Sequence, residues 1–240
     1  MLGHSRDYRM LLGSLVLLGL LYPLLNETWF GYGGRVAWTA VFWISLFLSI
    51  RALRGGVLKH KLDVTLLVLA IGLGAVGLTF GIDGERESTL HTTLQVGGEL
   101  VSLALLFHVA IAILTDVLSA GRVDTNRIWG AICVYILIAL VWAFMLGLLC
   151  AVFDNCLVPS SGFLAADGAN QQLDDLESRL YFSFVTLTTV GYGDIAPGNP
   201  VTRLFATAEA IVGQLYLTVL VARLVGLHIS QSRYESPNES

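Results

Sequence analysis

Charge is what this chain has least of. Only 13% of its 240 residues are Asp, Glu, Lys or Arg, where a soluble domain carries about a quarter. That shortage argues against an ordinary soluble fold. Lysines and arginines form no patch beyond one short loop, so a nucleic-acid surface is not expected. The net charge of -4 is too small to point to a partner. The sequence has no metal-ligand cluster, nucleophile triad or phosphate-binding loop, so neither an enzyme nor a resident cofactor is expected. What it has in abundance is apolar residue, 55% of the chain, for a mean hydropathy of +0.72.

The apolar residues come in long runs rather than alternating patterns, and such runs predict membrane-spanning helices. Six spans are expected, roughly 8–25, 36–52, 62–82, 97–118, 128–152 and 201–227, which makes an all-α membrane protein. The first has the basic start of a signal peptide (Arg6, Arg9), but no small-residue cleavage site follows it, so it reads as a retained helix. Three regions follow: a four-helix membrane domain over 1–120, a pore domain over 121–227 and a short tail over 228–240.

Lys and Arg set the orientation. With the N-terminus inside, ten of them fall on the cytoplasmic side and four (Arg35, Arg86, Arg179, Arg203) outside. Both termini are then cytoplasmic, and 153–200 lies outside.

That segment is no plain linker. In "ESRLYFSFVTLTT" large apolar residues recur at helical spacing for only about 11 residues, roughly 16 Å or half a bilayer. The chain must enter the membrane, stop midway and return through "VGYGDIAPGNP". Irregular backbone at that depth is tolerated where protein buries it or where it lines a watery cavity. A re-entrant pore helix and a returning loop are expected.

"TTVGYGD" resembles the signature of the potassium channel superfamily, matching over Thr189, Val190, Gly191, Tyr192 and Gly193 without substitution. The resemblance covers roughly 128–227 well; the first four spans match in topology alone. It implies a selectivity filter in which rings of backbone carbonyls, four chains deep in copies, replace the hydration shell of potassium. Gly191 and Gly193 supply backbone conformations that other residues resist. Thr189 adds a hydroxyl as the innermost ring, so potassium ions are expected at Thr189, Val190, Gly191 and Tyr192. One filter loop per chain implies a homotetramer. The implied function is passive potassium conduction, with potassium ions and the lipid bilayer as partners and the cell membrane as location. The alternatives are a weakly selective cation pore, a potassium transporter and a non-conducting scaffold.

Other expectations concern the filter's surroundings. On the sixth span, Gly213 stands where relatives bend their inner helix, or else allows close helix packing; Gln214, Leu217, Val221 and Val225 would line the inner pore. Glu209 is a carboxylate within the membrane. It either supports the filter from behind through Ser183, Thr186 or a loop amide, or is a protonated structural group. Many relatives brace the filter with a tryptophan pair and a glutamate, and here those positions hold Tyr181, Phe182 and Val185. Tyr181 and Asp194 are therefore expected to form the main outer clamp, and Phe182→Trp is expected to tighten it.

The fourth span, "GGELVSLALLFHVAIAILTDVL", holds no Arg or Lys, so the arginine ladder of a voltage sensor is excluded. Glu99 and His108 remain there, the latter either titrating near neutral pH or packed and uncharged. The tail is too short for a sensing domain. Cys150 and Cys156 flank the outer end of span five. They could bridge to each other, bridge between subunits through Cys156, or stay reduced.

Overall fold

In the computed structural model, residues 8–9, 11–16, 89–118, 125–160, 173 and 176–235 are described. The expected spans 36–52 and 62–82, and most of 8–25, lie outside them. The described elements are helix α1 (Thr89–Leu118), helix α2 (Thr125–Cys150), strand β1 (Leu157–Pro159), helix α3 (Leu176–Leu187), strand β2 (Ile195–Pro197) and helix α4 (Pro200–Glu235).

Among the described residues, three helices are long and apolar enough to cross a membrane, over Val96–Leu118, Thr125–Cys150 and Pro200–Arg223. Their bounds differ from the sequence reading in instructive ways. α1 starts before its apolar run, because Thr89–Leu94 is polar but free of breakers. α4 continues to Glu235, past the expected end at 227, because no Gly or Pro interrupts "LHISQSRYE" before Pro237.

α1 and α2 make the larger core. Leu105, Leu106, Val109 and Ile113 recur at helical spacing on α1 and meet Ala131, Val134, Leu137 and Leu140 of α2. Helical residues Tyr8, Leu11 and Leu15 join the same cluster. Tyr8 is held from two sides: its hydroxyl donates to Asp116 Oδ2 at 2.5 Å, and its amide donates to Asn126 Oδ1 at 3.1 Å.

α4 begins where local chemistry dictates. The Asn199 side chain caps it, Oδ1 accepting from the Thr202 amide at 2.9 Å, and Pro200 takes the first helical position, where no amide hydrogen is needed. The Thr202 hydroxyl donates to the Cys156 carbonyl at 3.1 Å, fastening the helix start to the turn after α2.

That turn is closed by a Cys150–Cys156 disulfide, Cα to Cα 5.1 Å, which decides among the pairings the sequence left open. It leads into β1, which runs antiparallel to β2 with Val158 opposite Ala196. The two-stranded ribbon sits at the exit of the TVGYG loop. At its end the Ser160 amide donates to the Asp194 carbonyl at 2.8 Å.

Candidate functional site

α3 is the half-length helix that the sequence predicts. Its 12 residues span roughly 18 Å at 1.5 Å each, and Glu177 in the first turn suits the positive end of the helix dipole. The last four carbonyls of any helix lack partners within it. Here each of them finds one. The carbonyl of Phe184 accepts from the Thr188 amide at 3.0 Å, and that of Val185 from Val190 at 3.0 Å and Gly191 at 3.3 Å. The carbonyl of Thr186 accepts from Thr189 at 3.0 Å. The last, Leu187, accepts from the Tyr135 hydroxyl of α2 at 3.1 Å.

The amides of Thr188 through Gly191 are thus spent on the helix end. Positive φ recurs at every second residue of the loop: Thr189 at 59°, Gly191 at 56° and Gly193 at 78°. Alternation of this kind turns successive peptide units the same way. Their N–H groups gather on one side and their carbonyls on the other. For the two glycines the conformation is inexpensive. For Thr189, a β-branched residue, it is strained by about 1–3 kcal/mol. Sequence reasoning assigned the unusual backbone to the glycines and missed this third position.

Other groups brace the loop. The Tyr181 hydroxyl donates to Asp194 Oδ2 at 2.7 Å, joining α3 to the residue after the TVGYG loop. The phenol ring stacks on that of Tyr192, centroids 6.4 Å apart and planes 8° from parallel. At the inner end, Gln214 Nε2 donates to Thr189 Oγ1 at 3.2 Å. The Thr186 contribution comes through its backbone carbonyl.

Behind the loop, Glu209 is 1% exposed and Ser183 fully buried. Ser183 Oγ is bonded to Glu209 Oε1 and to the Ala139 carbonyl of α2 at 2.7 Å. One serine proton cannot serve two acceptors fully, and a protonated Glu209 donating to Ser183 Oγ would satisfy all three groups. Either way Glu209 ties α4, α3 and α2 together at one point. Of its expected partners, Ser183 is the one it meets.

Gly213 lies against the end of α3. A Cβ there would overlap the Leu187 carbonyl oxygen, and α4 runs through it as an unbroken helix. What Gly213 provides in this structure is a close crossing. Gln214, Leu217 and Val221 are exposed along α4; the Val225 side chain lies outside the described residues. Phe182 does not brace Tyr192. It is 6% exposed, in a cluster with Leu146, Cys156, Leu157 and Ala206 beneath the outer turn. An indole there would overpack that cluster rather than tighten the clamp. His108 is half-buried on α1.

Two interactions had no clear sequence signal. Tyr135 reaches Leu187 across 52 positions. Arg179 forms an ion pair with Glu99 at 3.1 Å, both side chains largely buried. Both depend on long-range packing.

Residues 130–228 match the family model described as "Ion channel". Protein LctB of Geobacillus stearothermophilus is 30% identical over 126 residues, 52% of this chain and 90% of that protein. Two-pore potassium channel a of Oryza sativa is 44% identical over 45 residues, 19% of this chain and 13% of that protein. Voltage-gated potassium channel Kch of Escherichia coli is 42% identical over 48 residues, 20% of this chain and 12% of that protein. No solved structure matches. With a half-length helix and a glycine-bearing loop of alternating handedness set between the spans α2 and α4, this chain belongs to the potassium channel superfamily.

Proposed function

We propose that the chain is one subunit of a homotetrameric, potassium-selective channel that conducts passively through Thr189–Gly193. The observation that carries this reading is the loop's division of labour: the amides of Thr189, Val190 and Gly191 are tied to α3, while among the described residues the carbonyls of Thr189–Gly193 accept no hydrogen bond. A row of free carbonyls is what a dehydrated potassium ion requires. Potassium ions in the filter would be the sole resident ligands, held by the carbonyls of Thr189 to Tyr192 and the Thr189 hydroxyl.

The tetramer is supported by what one chain leaves bare. Tyr192 is 71% exposed and Val190 53%, and only 11% of the α4 spanning window is buried, against 56% for α2. Polar backbone at mid-membrane depth needs protein or a water-filled cavity beside it. Four copies about one axis would cover these surfaces and enclose the carbonyls. The filter mouth would face the outside of the cell membrane, where an oxidising environment suits the Cys150–Cys156 bridge, with both termini cytoplasmic. α1 carries no Lys or Arg, so opening would not be driven by a charged sensor helix.

The test is ion flux through the purified chain in lipid vesicles. Potassium-loaded vesicles should discharge and sodium-loaded ones should not. Equal flux of the two ions points to a weakly selective pore, and no flux of either to a transporter lacking its coupling ion or to a scaffold.

A further inference from the structure

α1 holds no Lys or Arg but carries the carboxylate of Glu99, and the structure gives it a partner. Glu99 lies on α1 and Arg179 in the first turn of α3, with α2 packed beside both. Arg179 Nη2 lies 3.1 Å from Glu99 Oε1. The pair meets at Gly147 of α2. A Cβ on Gly147 would fall on the Arg179 guanidinium, and would stand 2.6 Å from Glu99 Oε2. The absent side chain makes a notch through which the guanidinium passes.

Three physical facts make this more than an incidental contact. An arginine in the first turn of a helix opposes the helix dipole. Arg179 is also 5% exposed, so the charge has little water to solvate it. A buried cation in that position needs a nearby anion, and losing one member of such a pair is strongly destabilising. At its other end α3 anchors the filter, through the carbonyls of Phe184, Val185 and Thr186. A rigid helix of this length passes any tilt at Arg179 to the residues that hold the loop.

We propose that Glu99 is a positioning residue for conduction: through Arg179, seated over Gly147, it sets the pose of the pore helix and makes filter stability depend on α1. The helix in the sensor's place then acts as a brace. This rests on the filter reading above.

The experiment uses the full chain in planar lipid bilayers with symmetrical potassium. Four forms are compared: wild type, Glu99→Gln, Glu99→Arg, and the double exchange of Glu99→Arg with Arg179→Glu. Current decay under sustained opening and the potassium-to-sodium permeability ratio are both read. Glu99→Arg should speed decay about tenfold or more, Glu99→Gln should speed it less, and the exchange should bring the rate back towards wild type. The permeability ratio should stay constant, because Glu99 touches no ion. If Glu99→Arg does not assemble, Glu99→Gln against wild type decides. Decay at the wild-type rate in Glu99→Gln and Glu99→Arg overturns the proposal, as does an exchange no better than Glu99→Arg alone. A wild type that passes no selective potassium current overturns the filter reading and this proposal with it; selective wild-type current with silent Glu99 variants overturns this proposal alone.

Discussion

Tyr181→Phe removes one oxygen and nothing else. The ring that stacks on Tyr192 at 6.4 Å remains, and the bond to Asp194 at 2.7 Å is lost. A hydrogen bond to a charged group contributes about 1.5–3 kcal/mol. Tyr181 is 36% exposed, so water replaces part of the interaction and the lower end, about 1.5 kcal/mol, is the better figure. That shifts the balance between conducting and closed filter about tenfold per clamp. In planar bilayers, the potassium current of Tyr181→Phe should decay about tenfold faster than wild type under sustained opening. In an Asp194→Ala background the same substitution should add nothing, because its partner is gone. Decay within about twofold of wild type, or an equal effect in both backgrounds, refutes the clamp.

Gly191→Ala should abolish potassium flux in vesicles while leaving the assembled oligomer intact on size-exclusion chromatography, since φ of 56° is strained for alanine. Gly213→Ala should disturb conduction by driving a methyl group into the Leu187 carbonyl, whereas Gly226→Ala meets nothing within 4 Å among the described residues and should conduct like wild type. Reductant applied on the ribbon side should speed current decay in wild type, because the Cys150–Cys156 turn leads into the strand that holds Asp194 through Ser160; a Cys150→Ser, Cys156→Ser chain should not respond. Open probability should change only weakly between about -100 and +100 mV, and a steep conductance-voltage curve would contradict the lack of sensor charge on α1.

The amino-acid sequence by itself determined the elements whose signals are local. Apolar runs marked the three described spans, a short apolar period marked the half-helix, and TVGYG marked the loop, because each depends on residues adjacent in the chain. Tyr181 and Asp194, 13 positions apart, were within reach of the same reasoning because they flank one short re-entrant turn. The tertiary structure alone decided the rest. It chose the Cys150–Cys156 pairing, turned Phe182 under the outer turn, and placed Ser183 rather than Thr186 beside Glu209. It also carried Arg179 across Gly147 to Glu99, a link over 80 positions. Such contacts depend on which faces of the helices meet and how closely. That depends on side-chain volume, and on the absence of a side chain at Gly147 and Gly213, which no one-dimensional period encodes.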